Sequence, residues 1–200
     1  MTIEEKYSLY EEILRDWNAR MNLVSAGTLN DIRNRHIMDS VQLADHLPRA
    51  TVIDLGSGAG FPAVVLAIIG IEVIAVESVG KKCAFLSELK SRLNLPNLTI
   101  VNDRIENFIK TIKSRSSKVV FTARAFAPLI KILSLTAGIP AEYALLKGAS
   151  ADEEVKVARL EYDFDCESFP SKTGPGYILV IKNARKKPAF SSKTPGKSRK

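Results

Sequence analysis

Residues 51–62 read TVIDLGSGAGFP, and this stretch decides the fold. Its first five residues form a short, mostly apolar run that is typical of a buried strand, whereas the apolar pattern from Ala63 to Ile69 is typical of a helix. Three glycines lie between the two segments. Glycines let a backbone pass close to a ligand, and a helix N-terminus presents N–H groups without intrahelical partners. The stretch therefore predicts a strand, a ligand-binding glycine loop and a helix.

The chain after this loop continues to alternate between strands and helices. Further strands are predicted at residues 72–76, 98–101, 118–122, 143–146, 162–169 and 177–181, and helices at 80–93 and 151–160. Such alternation implies right-handed crossovers and a parallel sheet that is covered by helices on both faces. The turn GPG at residues 174–176 predicts a closing hairpin and one antiparallel edge. The predicted fold is a doubly wound, mostly parallel, seven-stranded α/β sheet.

The first 48 residues are predicted to form a helical cap on this sheet. Tyr7, Ile13 and Trp17 fall at helical spacing, and a second helical region from about residue 31 to 47 ends at Pro48. A chain of 200 residues suits one domain, and the sequence shows no interdomain linker. We therefore expect a single domain over residues 1–182, with the cap at 1–48 and the α/β core at 49–182.

The positive charge of the chain is concentrated at its C-terminal end. The formal net charge is +7, and residues 182–200 contain eight basic residues and no acidic one. We predict that residues 183–200 form a flexible basic tail that is attracted to polyanions such as nucleic acid. A solvated tail that only aids solubility is the alternative.

Several other classes of protein are excluded by composition. Cys83 and Cys166 are too few for a disulfide framework, and only His36 and His46 could join them in a zinc site. The longest apolar run, residues 61–71, has about half the length that spans a bilayer. No signal peptide is recognisable at the N-terminus. We expect a cytoplasmic monomer without a metal ion or a membrane segment.

The spacing of the glycine loop favours a nucleoside cofactor over a dinucleotide. A dinucleotide fingerprint needs a third glycine three residues after Gly58, where Phe61 stands. The G-x-G-x-G spacing, with Asp54 two residues before Gly56, resembles the first motif of S-adenosylmethionine-dependent methyltransferases. Glu77 follows Gly56 by about 20 residues, where an acid accepts hydrogen bonds from ribose hydroxyls. A ligand-free glycine turn and a plain strand-end charge remain the alternatives.

Motifs along nearly the whole chain make a resemblance specific. Together with residues 54–62, they are WNARMNL at 17–23, RHIMDS at 35–40, ESVGKKCAFL at 77–86, ARAFA at 123–127 and KG at 147–148. In this order they resemble the RsmG (GidB) family, whose members are bacterial methyltransferases that modify N7 of one guanine in 16S ribosomal RNA. The resemblance implies that activity, an S-adenosylmethionine cofactor and a class I Rossmann-like methyltransferase fold. It also implies 16S ribosomal RNA or the 30S subunit as the partner.

The resemblance further implies which residues bind the cofactor. Gly56 and Phe61 would lie at the cofactor, Ile105 and Glu106 near its adenosine part, and Arg124 beyond the fourth strand. With Glu77 these residues form the expected cofactor site. Ala63, where the family often has glycine, is a departure that leaves these contacts untouched.

No catalytic residue is assigned, because guanine N7 already carries a lone pair and its methylation needs positioning rather than a base. His36 is interpreted as a packing residue rather than a catalytic one, and Lys147 as facing either RNA or the pocket. Two other functions stay open on the residues alone. One is a methyltransferase for another RNA, a protein or a small molecule, and the other is a non-catalytic RNA-binding protein with a nucleoside pocket.

Overall fold

A seven-stranded sheet runs through the computed structural model, which describes residues 1–112 and 119–188. The strands are β1 (Thr51–Leu55), β2 (Val73–Glu77), β3 (Leu98–Asn102), β4 (Val119–Arg124), β5 (Ala141–Lys147), β6 (Tyr162–Pro170) and β7 (Tyr177–Lys186). The α-helices are α1 (Ile3–Asn18), α2 (Asp39–Val41), α3 (Ala63–Ile68), α4 (Gly80–Arg92), α5 (Ile105–Ile112), α6 (Leu129–Leu135) and α7 (Ala151–Glu161).

The strand order is β3-β2-β1-β4-β5-β7-β6. Neighbouring strands from β3 to β5 are parallel, while β7 pairs antiparallel with both β5 and β6. This arrangement confirms the predicted doubly wound sheet with one antiparallel edge. The order of the strands reverses between β1 and β4, and ligands of such sheets bind outside the carboxyl ends of the strands at this point.

Each face of the sheet carries its own hydrophobic core. Because side chains alternate along a strand, Ile53 and Leu55 of β1 pack with α5, α6 and α7, whereas Val52 packs on the opposite face with α1, α3 and α4. Asp54 lies two residues after Val52, so its side chain is on the same face of the sheet as that of Val52. Its carboxylate is therefore buried on the face that the N-terminal cap covers.

The N-terminal cap is anchored on the glycine loop by an aromatic stack. Tyr10 of α1 packs on Phe61 with ring centroids 5.1 Å apart, and His36 packs on Phe61 at 4.9 Å. The Tyr10 hydroxyl also donates a buried hydrogen bond of 2.5 Å to the Ala59 carbonyl oxygen. The loop between β1 and α3 is thus held by the cap as well as by the sheet.

The second helical region is less regular than the sequence predicts. After a 3₁₀ segment at Ala26–Asp31, the chain forms a π-helical turn at Arg33–Met38, the short helix α2 and another 3₁₀ segment at Gln42–His46. The π-helical turn lies where His36 packs against Phe61, and extra turns of this kind are frequent at functional sites.

The boundary of the expected basic tail needs a correction. Strand β7 continues beyond the predicted end at residue 181 to Lys186, because Arg185 and Lys186 pair with Asp163 and Tyr162 of β6. Residues 183–186 therefore belong to the sheet. Of the predicted tail 183–200, residues 189–200 lie outside the described part of the chain.

The Tyr10 hydrogen bond yields a test of how the cap is held. Tyr10→Phe keeps the ring stack but leaves the buried Ala59 carbonyl without this donor, which should lower the free energy of unfolding by about 1–3 kcal/mol. Tyr7→Phe on the same helix is the control, since among the described residues the Tyr7 hydroxyl makes no hydrogen bond. Equal urea-unfolding curves for the two variants would contradict this account.

Candidate active site

Two cavities open at the carboxyl ends of β1, β4 and β5. The first, which we call the glycine-loop cavity, has a volume of about 310 Å³. It lies between the glycine loop and the cap, and it is lined by Leu23, Val24, Ser25, Thr28, His36, Gly56, Ser57, Gly58, Ala59, Phe61, Lys82, Arg124 and Ala125. Three predicted cofactor residues, Gly56, Phe61 and Arg124, therefore meet around one space.

The glycines of the loop serve different purposes. Gly56 has φ +72°, and a Cβ atom there would collide with the ring of Phe126, so this glycine is needed for packing against the loop after β4. Gly58 has φ +52°, but the nearest atom to a Cβ built there is the Gly56 carbonyl oxygen at 3.7 Å. Space for a ligand therefore lies beside Gly58 rather than at Gly56, where the sequence predicted the close approach.

Glu77, at the end of β2, fastens the glycine loop through backbone hydrogen bonds. One carboxylate oxygen accepts from the Gly58 N–H at 2.9 Å, and the other accepts from the Val79 N–H at 2.8 Å. The residue is buried, with 5% of its surface exposed. Each oxygen retains a second lone pair, so these bonds leave acceptor capacity for the predicted ribose contact, which stays a prediction.

Asp54 is a buried acid whose charge is not compensated by its described surroundings. Neither carboxylate oxygen accepts a hydrogen bond from any described residue, and 1% of the residue surface is exposed. Burial raises the pKa of Asp54 to about 7. The Ser57 hydroxyl and the Ala63 backbone lie near the carboxylate but outside hydrogen-bond geometry, so they oppose this rise only in part. Without a positively charged neighbour, the carboxyl group stays largely protonated below neutral pH.

Arg124, at the end of β4, connects the sheet with the cap. Its Nη2 donates to the Arg35 carbonyl oxygen at 2.9 Å and lies 2.6 Å from Nδ1 of His36, while its Nε is 3.5 Å from an Asp39 oxygen. Its guanidinium carbon also lies 5.7 Å from the centroid of the Phe61 ring. The buried Nη1 has no acceptor among the described residues. Arg124 therefore has a fixed orientation and a hydrogen-bond donor available for a ligand.

His36 is kept as a neutral ring by its burial and by the contact with Arg124. A guanidinium only donates hydrogen bonds, so Nδ1 of His36 must be the acceptor and the ring proton sits on Nε2. Burial, followed by the charge of Arg124, lowers the pKa of His36 to about 4. The interpretation of His36 as a packing residue agrees with its stack on Phe61, but its place in the lining of the cavity was not predicted.

The second cavity, which we call the hairpin cavity, has a volume of about 280 Å³. It lies between the ends of β4 and β5 and the β6–β7 loop, residues 171–176. Its lining consists of Arg35, Asp39, Arg124, Ala125, Leu146, Lys147, Gly148, Ala149, Ser171, Thr173, Gly174, Pro175, Gly176 and Tyr177. Arg124 and Ala125 line both cavities, which adjoin at these two residues.

The other predicted residues lie elsewhere. Ile105 begins α5 and is buried in the core on the opposite face of the sheet, and Glu106 is exposed in the first turn of that helix. Neither is among the residues that line the two cavities, so their contact with adenosine stays a prediction. Lys147 lines the hairpin cavity, but its ammonium group pairs with Glu154 at 2.7 Å and donates to the Ala127 carbonyl oxygen.

Sequence reasoning missed the contribution of the cap and of Ala125. The turn after α1 supplies one wall of the glycine-loop cavity, and the signal for it was the WNARMNL motif at 17–23, in which Asn18 caps the Leu23 and Val24 N–H groups. Ala125 has φ +50°, a strained conformation for a residue with a side chain. Such strain often marks a functional position, and here it turns Phe126 onto Gly56.

Asp54 and His36 should give the stability of the protein opposite pH dependences. For Asp54, the folded pKa of about 7 exceeds the ordinary 3.8, so the folded state holds a proton that the unfolded state loses, and stability falls as pH rises through this window. For His36, the folded pKa of about 4 lies below the ordinary 6.5, so stability rises with pH. Relative to the wild type, Asp54→Asn should therefore gain stability with pH between about pH 4 and 6.5, by up to about 1.4 kcal/mol per pH unit.

The matched variant is His36→Asn, which keeps an acceptor for Arg124 but does not titrate. Its unfolding free energy, relative to the wild type, should change with pH in the opposite direction. Chemical unfolding at several pH values measures both differences. A constant difference between Asp54→Asn and the wild type would show that Asp54 is ionised throughout.

The described residues contain neither a group arranged to hold a metal ion nor a helix that could cross a membrane. In residues 1–112 and 119–188, no group of three or more His, Cys, Asp or Glu side chains is arranged to hold a metal ion. None of the helices in the same ranges combines the length and the hydropathy needed to cross a bilayer.

Two solved methyltransferase structures resemble this fold. An O-methyltransferase from Bacillus cereus, solved with SAH, has a TM-score of 0.55 at 12% identity and covers 86% of this chain and 90% of its own. The glycopeptide N-methyltransferase MtfA, solved with S-adenosyl-L-homocysteine, has a TM-score of 0.56 at 13% identity and covers 75% and 86%. At these identities the likeness shows the class I, Rossmann-like methyltransferase fold.

Comparisons of sequence are more specific. A relative from Rhodospirillum rubrum, named "Ribosomal RNA small subunit methyltransferase G", is 42% identical over 190 residues, covering 88% of this chain and 89% of the relative. A relative of the same name from Rickettsia prowazekii is 36% identical and covers 92% and 96%. Residues 3–183 match the family described as "GidB: rRNA small subunit methyltransferase G". The chain therefore belongs to the GidB family of ribosomal RNA small subunit methyltransferases.

Proposed function

We propose that the protein transfers a methyl group from S-adenosylmethionine to N7 of a guanine in 16S ribosomal RNA, acting in the cytoplasm as a monomer. The observation that carries the proposal is the pair of adjoining cavities at the switch point of the sheet. A group transfer between two substrates needs two such spaces with a common boundary. Membership of the GidB family and the resemblance in the sequence support the choice of substrate.

The residues at the ends of β1, β2 and β4 fit this cofactor, although Asp54 and Glu77 are buried and are not among those that line the glycine-loop cavity. S-adenosylmethionine carries positive charge on its amino group and its sulfonium, and Asp54 is a buried acid without a described partner. A cation near Asp54 would favour its ionised form and so lower its pKa. The open space beside Gly58 and the remaining lone pairs of Glu77 offer room and acceptors for the nucleoside. The proposed set of contacts also includes Gly56, Phe61 and Arg124, which line the cavity. Ile105 and Glu106 belong to it as contacts of the adenosine part.

The residues of the chain align the two substrates and set the charge around the bound cofactor. When bound, S-adenosylmethionine supplies an electrophilic methyl group, which the N7 lone pair accepts without the loss of a proton. The protein therefore needs no general base, and alignment of the two substrates is its main task. His36 assists because it remains neutral at physiological pH and adds no positive charge to a cavity that receives a cation.

The direct test is transfer of a labelled methyl group. The protein should label unmodified 16S ribosomal RNA, either naked or in 30S particles, and mass spectrometry of the nucleosides should find the label in 7-methylguanosine.

Glu77→Gln replaces one carboxylate oxygen, which accepts a hydrogen bond from a backbone N–H, with an amide NH₂ group that cannot accept it. Cofactor affinity should therefore fall about tenfold or more. Glu153→Gln, an exposed change on α7, is the matched control.

The proposal is wrong if the label enters another nucleoside or a protein. Cofactor binding without any transfer to these RNAs would instead favour the RNA-binding protein with a nucleoside pocket. Calorimetric titration with S-adenosylhomocysteine separates these outcomes from a simple failure to bind cofactor.

The basic C-terminal residues should act on RNA and not on the cofactor. Deletion of residues 189–200 spares β7 and removes Lys193, Lys197, Arg199 and Lys200. If each contacts a phosphate, the slope of log affinity against log salt should lose about 0.7 per contact, so about 3 in total. Arginine at the three lysine positions is the charge-conserving control. An unchanged slope after deletion would assign this segment to solubility and RNA binding to the folded domain.

A further inference from the structure

The hairpin cavity is a second binding space, distinct from the one that the glycine loop forms. Its inner wall is Arg124 and Ala125, and its opposite wall is the β6–β7 loop. Leu146 and Tyr177 add apolar surface, while Arg35 is exposed at its edge. With a volume of about 280 Å³, it lies near the lower end of the range for small-ligand pockets, about 300 Å³.

This cavity is built by specific long-range contacts. One oxygen of Asp39 accepts hydrogen bonds of 2.9 Å from Gln42, Ser171 and Thr173. The Gln42 side-chain oxygen in turn accepts from the Lys172 N–H at 3.0 Å. Three of these four hydrogen bonds connect the cap with the β6–β7 loop, and the fourth joins Gln42 to Asp39 within the cap. They hold in place a wall that would otherwise be a surface hairpin turn.

The position of the cavity relates it to the reaction. Arg124 and Ala125 border both cavities, so a molecule in the hairpin cavity meets a molecule in the glycine-loop cavity at this boundary. Arg124 is one of these two residues, and its Nη1 is buried without an acceptor in the described parts of the chain. Guanine carries its O6 acceptor beside N7, whereas adenine carries an amino donor at the same place. A fixed guanidinium donor at this boundary favours the oxygen over the amino group.

Building on the proposed function, we propose that the hairpin cavity receives the target guanine, turned out of the RNA, with its N7 edge toward Arg124 and Ala125. A stacked base cannot present this edge to a buried donor, so extrusion into a pocket is required. The apolar walls contact the faces of the base. Exposed Arg35 lies where the flanking phosphates of an RNA strand would pass.

Gly148 allows the cavity to be filled without disturbing its walls. It lines the cavity, and beyond its chain neighbours no described atom lies within 4 Å of a Cβ built on it. Its φ also lies outside the left-handed region, so larger residues suit its backbone. The series Gly148→Ala, Gly148→Leu and Gly148→Phe therefore fills the space in steps. Gly27→Phe is the matched control, because Gly27 has equal free space and lies outside the lining of both cavities.

The expected result is a graded loss of methyl transfer to RNA, reaching about 100-fold for Gly148→Phe, with the affinity for S-adenosylhomocysteine unchanged. Gly27→Phe should retain full activity. Ala149→Trp fills the same cavity from the adjacent position and serves as the second variant if Gly148→Phe unfolds below the assay temperature.

Two outcomes would overturn the inference while leaving the proposed function intact. Full activity of both Gly148→Phe and Ala149→Trp would show that the base does not enter the hairpin cavity. Loss of S-adenosylhomocysteine binding in folded variants would assign the cavity to the cofactor. If the wild type itself transfers no methyl group to RNA, the proposed function fails, and the variants then report only on cofactor binding.

Discussion

The guanidinium group of Arg124 is the point at which the sheet, the cap and the β6–β7 loop meet. It donates to the backbone of Arg35, contacts His36 and lies beside Asp39, whose other oxygen holds the β6–β7 loop. Removing one partner from such a buried charged network leaves the others unsatisfied, so the parts depend on each other. The two cavities adjoin at this side chain, which lines both of them.

The fold was largely predictable because its signals are local. Buried parallel strands appear as short apolar runs, and the glycine loop separates β1 from α3 at a sharp boundary. The end of β7 was missed because its last residues are polar and basic, and they join the sheet only by pairing with Tyr162 and Asp163. No local pattern reveals such a partner. The π-helical turn at Arg33–Met38 was missed for the same reason, since it accompanies packing on Phe61.

The candidate site also has some features that the sequence predicts and others that it cannot predict. The motifs predict a site at the ends of β1 and β4, and Gly56, Phe61 and Arg124 share a cavity there. They could not show that Gly56 makes room for Phe126, that Glu77 holds the Gly58 backbone, or that burial and Arg124 together keep His36 neutral. These roles arise from contacts between distant segments. The hairpin cavity also depends on contacts between distant segments, because Asp39 and Ser171, which form a hydrogen bond, are 132 residues apart in sequence.

A crystal structure with S-adenosylhomocysteine bound tests most directly which of the two cavities binds the cofactor. We expect density for the ligand in the glycine-loop cavity, with its sulfur nearest to Arg124 and Ala125, and no ligand density in the hairpin cavity. The ligand should also lie within hydrogen-bond reach of Glu77. Density for any part of the ligand in the hairpin cavity would contradict the assignment of that space to the target base.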